Sequence, residues 1–270
     1  MTTAALSLSL AQIRENDSYI GHLNSIIKDT IRTTGQCSLR TLIQTIHGVC
    51  PELGEFCREN QEKFKVSSVR DKGLIGKIVE FQLFGNLPNN DSCPDMQYGD
   101  IKTTHFKSLG NGKAFNAKER LTLTNFGDPE KQANIDTIAD KATMQDTRFY
   151  EKIKRGIILI FQQESVDYDT IDCFYDKKIL GVVFYNLDEL FVSHPDVQAT
   201  FQDDFVKIKT CVLAHAVSQK GQQYLHMHKH GCKAGATRAF GFTNKFLTRL
   251  VSIYLEVPLV TQGRSEYISF

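Results

Sequence analysis

No apolar run in these 270 residues approaches the roughly 18 needed to cross a bilayer. The longest, Gly156 to Phe161 and Ile179 to Tyr185, read instead as buried strands. No CxxC pair occurs among Cys37, Cys50, Cys57, Cys93, Cys173, Cys211 and Cys232, and their odd, scattered set excludes a disulfide framework. Free thiols in a reducing compartment are expected, hence a cytoplasmic protein without a membrane partner. The first ten residues lack the basic segment and apolar core of a signal peptide. Internal repeats, low-complexity tracts and a proline-rich linker are also missing, so the length allows one large domain or two modest ones.

Acid is missing over one long stretch. From Phe205 to Leu250 no Asp or Glu occurs, against Lys207, Lys209, Lys220, Lys229, Lys233, Arg238, Lys245 and Arg249, with His215, His226, His228 and His230 added. The preceding segment, Glu164 to Asp204, is acidic, with Lys177 and Lys178 its only basic residues. The overall charge of +1 hides this segregation. A local cationic surface is the electrostatic footprint of a phosphate-backbone binder.

Ordinary content fills the rest. Hydrophobic residues make up 41% and charged residues 23%, as in a globular protein large enough to bury a core. Helical apolar spacing predicts helices over Ile13–Thr30, Leu39–Val49, Leu74–Phe84 and Lys245–Leu255. Strands are predicted over Tyr98–Thr104, Arg120–Phe126, Gly156–Gln162 and Leu180–Tyr185. This is an α/β arrangement with helices first and a core sheet near residues 95–160.

Chemistry concentrates in Pro94-Asp-Met-Gln-Tyr-Gly-Asp-Ile-Lys-Thr-Thr104. On a strand, Asp100 and Lys102 share one face and Ile101 takes the other. Asp95 approaches from the adjacent turn. Two converging carboxylates suit Mg²⁺, which takes few protein ligands and keeps its waters. A lysine two residues from a ligand suits an attacking water and a phosphate gaining charge. The spacing fits D-x(n)-(D/E)-x-K.

With Lys72-Gly-Leu-Ile-Gly-Lys-Ile-Val-Glu-Phe-Gln-Leu-Phe-Gly85 ahead of it, this segment resembles the MutH family of the restriction-endonuclease superfamily. That family joins a mismatch-repair nicking endonuclease to GATC-cutting type II restriction enzymes. Lys72 and Glu80 match its lysine and helix glutamate, Asp95 and Asp100 its metal ligands, and Lys102 its catalytic lysine. Lys152 matches a further active-site lysine, with Lys154 the fallback. Tyr224-Leu-His-Met-His-Lys-His230 and Arg238-Ala-Phe-Gly-Phe-Thr-Asn-Lys-Phe246 resemble its DNA-reading arm.

The resemblance implies a restriction-endonuclease-like PD-(D/E)xK fold. Its mixed central sheet would be flanked by helices and C-shaped around a DNA cleft. The chain would be one endonuclease domain, with a helical N-terminal arm (about 1–65), a catalytic core (about 66–165) and a cationic recognition arm (about 205–255). Mg²⁺ would bind Asp95, Asp100 and the Ile101 carbonyl. His228, Lys229, His230, Arg238 and Lys245 would contact duplex DNA, Arg238 through its planar fork. The implied function is a type II restriction endonuclease leaving 5′-phosphate ends, with a methyltransferase in the same system, acting as monomer or homodimer. His228-Lys229-His230 stands where the nickase has Arg-Pro-Lys, which favours restriction over a nickase driven by a partner ATPase. A non-catalytic DNA-binding effector of the same fold is the third reading, and retention of Asp95, Asp100 and Lys102 weighs against it. His226, His228 and His230 alternate on one strand face, but no second Cys pair closes a structural zinc site.

Overall fold

A computed structural model describes residues 8–64, 68–69, 71, 73–87, 95–109, 114–127, 138–164, 170–216, 220–230, 237–263 and 265–270. It is a mixed α/β protein that divides into two compact units, residues 1–105 with 157–184, and residues 106–156 with 185–270.

The first unit starts with four helices, α1 (Leu10–Glu15), α2 (Ser18–Thr34), α3 (Leu39–Val49) and α4 (Pro51–Glu59). The single helix expected over Ile13–Thr30 is two, because the chain leaves helical geometry at Asn16 and restarts at Ser18. α3 follows its pattern: Ser38 caps the N-terminus by accepting from Thr41 N–H, and Leu39, Leu42, Ile43 and Ile46 are buried. Residues 8–64 are no detached arm. Ile13, Leu23, Leu42, Ile46 and Leu53 share one core with α5 (Leu74–Phe84) and with Ile157, Leu159 and Val182 from later strands.

α5 is buried on nearly every side through Leu74, Ile75, Ile78, Val79, Phe81, Gln82, Leu83 and Phe84. Gly76, Lys77 and Glu80 make the remaining stripe, spaced so that they share one flank. The helix stops at Gly85, whose φ of 66° is left-handed and open to glycine. β1 (Asp100–Leu109), β4 (Arg155–Gln162) and β5 (Ile179–Asn186) follow in the strand order β5-β4-β1. The short α7 (Asp172–Tyr175) precedes β5.

In the second unit the end of β1 pairs antiparallel with β2 (Ala114–Ala117). β2 pairs with β9 (Ser265–Ser269), and β9 with β8 (Leu259–Gln262). A separate antiparallel sheet has the order β3 (Leu121–Gly127), β7 (Thr237–Phe242), β6 (Leu225–His230). Helices α6 (Arg148–Ile153), α8 (Leu187–Ser193), α9 (Pro195–Leu213) and α10 (Asn244–Leu255) complete the unit. Its core is aromatic. Phe246 lies edge-on to Phe201 and Phe242 at 4.7 and 4.8 Å, and Phe149 stacks on Phe240 at 4.3 Å.

Gly241 sits mid-sheet between Thr122 and His226. A Cβ there would fall 2.0 Å from the Leu121 carbonyl oxygen, so β7 passes β3 more closely than any side chain permits. Gly241→Ala is therefore expected to lower the denaturant midpoint by the equivalent of about 2 kcal/mol or more. An unchanged midpoint would mean that the two strands separate at little cost.

Candidate active site

The site is built on the flank of α5 and the start of β1. Met96 and Gly99 form an isolated antiparallel bridge, exchanging N–H···O bonds of 3.1 and 3.2 Å. Gln97 and Tyr98 make the tight turn between them. The Tyr98 ring is pinned by its hydroxyl on the Ile13 carbonyl at 2.8 Å. This hairpin brings Asp95 back beside Asp100, since each lies one residue outside the bridge. Oδ2 of Asp95 accepts from the Ile101 N–H at 2.9 Å, and Asn86 Nδ2 holds the Asp95 carbonyl at 2.6 Å.

Strand alternation then does what the spacing predicts. The Ile101 side chain is buried in the first unit's core. Asp100 and Lys102 project together, with Lys102 Nζ 3.2 Å from Asp100 Oδ2. Their side chains are 12% and 27% exposed, dry enough for the pair to interact strongly and open enough to reach a ligand.

Glu80 completes the group from α5. A Cβ built on Gly76 would lie 3.8 Å from Thr103 Oγ1 and 3.9 Å from Glu80 Oε1, which places this flank against β1. Burial pushes the Glu80 carboxyl up to about 7; Asp95 and Asp100 add to the rise, and Lys102 and Lys77 oppose it. Three carboxyls and two lysines therefore share one electrostatic neighbourhood. Lys77 is itself tethered to Asp71 at 2.7 Å.

The sign of the Glu80 shift sets a pH dependence. Its carboxyl ionises near 4.5 when unfolded and near 7 when folded. Below 4.5 both states hold the proton and nothing is lost. Between 4.5 and 7 the unfolded chain releases its proton first, so stability falls as pH rises. Above 7 the whole penalty, about 3 kcal/mol, is present. Glu80→Gln should therefore melt several degrees above wild type at pH 8 and level with it at pH 4. Equal melting at pH 8 would show that the carboxyl is not crowded.

Among the described residues no group of three or more His, Cys, Asp or Glu side chains that could hold a metal ion is present. Mg²⁺ asks for less, one or two carboxylates with water completing the octahedron. Asp95 and Asp100, adjoining across the turn and crowded with a third carboxyl, fit that requirement.

Of the other expected residues, Lys72 lies outside the described ones. Lys152 is on α6 in the second unit, half-buried, and its neighbour Lys154 pairs with Glu151 at 2.7 Å. Arg238 corrects the expectation of an open base-reading fork. It is 0% exposed, and its Nε and Nη2 donate to the Ala216 carbonyl at 2.9 and 2.5 Å. His228 is also turned inward, 6% exposed with Nε2 3.2 Å from Thr122 Oγ1. Lys229 is exposed, and the His230 side chain lies outside the described ones. Lys245 is exposed, 3.6 Å from Glu266.

The cationic stretch is also less cationic in space than in sequence. Lys207 meets Asp204, Arg249 meets Asp196, and Lys209 donates to the Lys141 carbonyl. Its acids come from segments just outside it. Sequence reasoning missed Lys77 and Asn86 in the site. The non-apolar stripe of Gly76, Lys77 and Glu80 on α5 was the available signal for Lys77.

Among the described residues no helix is long and apolar enough to cross a membrane. No protein-family model and no curated protein matches the chain.

Proposed function

We propose that the chain is a Mg²⁺-dependent endonuclease of restriction-endonuclease-like fold, cutting double-stranded DNA at the Glu80, Asp95, Asp100 and Lys102 site. The observation that carries the reading is the convergence of three carboxyls and Lys102 where a helix flank meets a strand start. Burial, with Asp95 and Asp100 beside it, lifts Glu80 to about 7, and a divalent cation held by the two aspartates would offset that crowding of carboxylates.

Asp95 and Asp100 would hold Mg²⁺, which when bound supplies Lewis-acid polarisation of the scissile phosphate. Lys102 points an ammonium at the same place. It can orient an attacking water by hydrogen bonding and stabilise negative charge on the phosphate as the P–O bond to the leaving group lengthens. Glu80, poised near neutrality, can accept the proton that the water loses. Asn86 and the Ile101 N–H keep Asp95 from swinging away. The water's oxygen ends on phosphorus and the 3′ oxygen leaves, giving a 5′-phosphate and a 3′-hydroxyl.

The test is incubation with plasmid, with Mg²⁺ or EDTA, on Dam-methylated and unmethylated stocks. Discrete linear fragments that need Mg²⁺ support a restriction enzyme, and nicked circles alone support the partner-activated nickase. Intact plasmid in every lane overturns the endonuclease reading. Thermal denaturation gives a readout without catalysis: Mg²⁺ at a hundredfold excess over its Kd should add about 2.7 kcal/mol of stability. Asp95→Asn and Asp100→Asn should abolish that gain.

A further inference from the structure

The β3-β7-β6 sheet carries a second polar site, wholly within the second unit. A cleft of about 660 Å³ lies among the approach to β3, the loop into β6 and the first turn of α10. Arg120, Gln222, Gln223, His226, Asn244 and Lys245 line it, and Glu119 is the one carboxylate among its described lining residues.

Its donors are organised. Arg120 is exposed, and its Nη1 lies 3.2 Å from His226 Nε2. His226 Nδ1 lies 3.2 Å from His228 Nδ1, and His228 Nε2 reaches Thr122. Arginine only donates, so the chain runs one way, from Arg120 through two neutral imidazoles to the Thr122 hydroxyl. Burial, and then Arg120, hold His226 below its ordinary pKa, which agrees with the neutral ring. One N–H of the guanidinium is thereby fixed, and the rest of its fork remains for a ligand.

Gln222 makes the stronger point. Its Oε1 accepts from the Met227 N–H at 3.2 Å, which sets the amide's orientation. Its Nε2 is buried with no hydrogen-bond partner among the described residues. A buried donor left unpaired is costly, and an acceptor entering the cleft that Gln222 lines would relieve that cost once the amide turns toward it. The loop behind it is rigid, because buried Asp204 accepts from the backbone N–H groups of Gln223, Tyr224 and Leu225. Lys245 adds an ammonium at the head of α10, shared with Glu266 at 3.6 Å.

An acceptor-only anion with several oxygens answers this set. We propose that the cleft holds a phosphodiester of a nucleic-acid strand, with Arg120 and Lys245 meeting the phosphate and Gln222 donating to an oxygen beside it. The proposal rests on the nucleic-acid reading above and adds an anchoring site separate from the carboxylate centre.

The experiment is fluorescence anisotropy of the full chain on a labelled DNA duplex in EDTA, across a salt series. Arg120→Gln should weaken binding about tenfold, and Lys245→Gln and Gln222→Ala roughly threefold or more. Each cation removed should lower the slope of log affinity against log salt by about 1. Lys28→Gln, an exposed charge on α2, should change affinity less than twofold. Wild-type affinity in Arg120→Gln, or an equal loss in Lys28→Gln, overturns the cleft and leaves plasmid cleavage to judge the endonuclease reading. Selective loss in Arg120→Gln, from a protein that never cuts plasmid, supports the cleft and sinks the endonuclease reading.

Discussion

Lys102→Ala is expected to slow Mg²⁺-dependent cleavage by roughly 10²- to 10³-fold, the cost of removing one preorganised donor from a developing oxyanion. The ammonium stands 3.2 Å from Asp100, in a group with Asp95 and Glu80. Duplex affinity in EDTA should stay within a few-fold of wild type, because the Lys102 ammonium is already paired with Asp100 when no metal is bound. The substitution also removes the counter-charge from Asp100 and one of the two cations that restrain Glu80. Glu80 should then hold its proton to still higher pH. Residual activity should therefore peak at higher pH than in wild type, which a merely unfolded variant would not show. Single-turnover rates across pH 6 to 9, beside melting curves, separate the two. Undiminished cleavage would remove Lys102 from the chemistry.

The second large effect is on stability. Asp204 is 0% exposed on α9, and its two oxygens take the backbone N–H groups of Gln223, Tyr224 and Leu225, at 2.6 Å for Tyr224. Lys207 approaches at 3.4 Å. Asp204→Ala leaves three donors at the mouth of β6 without their acceptor, each costing about 1–3 kcal/mol when buried. A loss of about 3–5 kcal/mol is expected, or roughly 10 °C in melting temperature. Asp204→Asn is the sharper test. It keeps the volume but turns one acceptor into an NH₂ facing the same N–H groups. It should destabilise nearly as much as alanine. An asparagine variant as stable as wild type would show that packing, and not acceptance, holds the loop.

What could be read from sequence follows from how local its cause is. α3, α5 and α10 appear within a residue or so of their expected bounds, since each carries its own apolar period and stop signal. β4 and β5 do too, being short unbroken apolar runs. α9 was not legible, because buried Asp204 interrupts its apolar face and finds its partners in a loop some twenty residues on. Asp100 and Lys102 share a face, as alternation requires. The approach of Asp95 depends on the Met96–Gly99 bridge, and Met-Gln-Tyr-Gly carries no strong turn signal. The cationic stretch reads differently in space than along the chain. Asp204, Glu266 and Asp196, from outside the acid-free stretch, fold onto Lys207, Lys245 and Arg249 and offset part of its charge.

The two units are interleaved along the chain, and each changeover falls inside a strand, at β1, β4 and β5. During synthesis the first 105 residues emerge with their helices complete but without Ile157, Leu159, Phe161, Ile179 and Val182, which fill the same core. That core closes only once residue 184 has left the ribosome, after the whole of the second unit's first segment has already appeared. Neither unit can therefore be cut out as one continuous piece. A continuous piece that keeps the first unit whole runs to residue 184, so it carries residues 106–156 of the second unit, Arg120 among them, and leaves Gln222 and Lys245 behind.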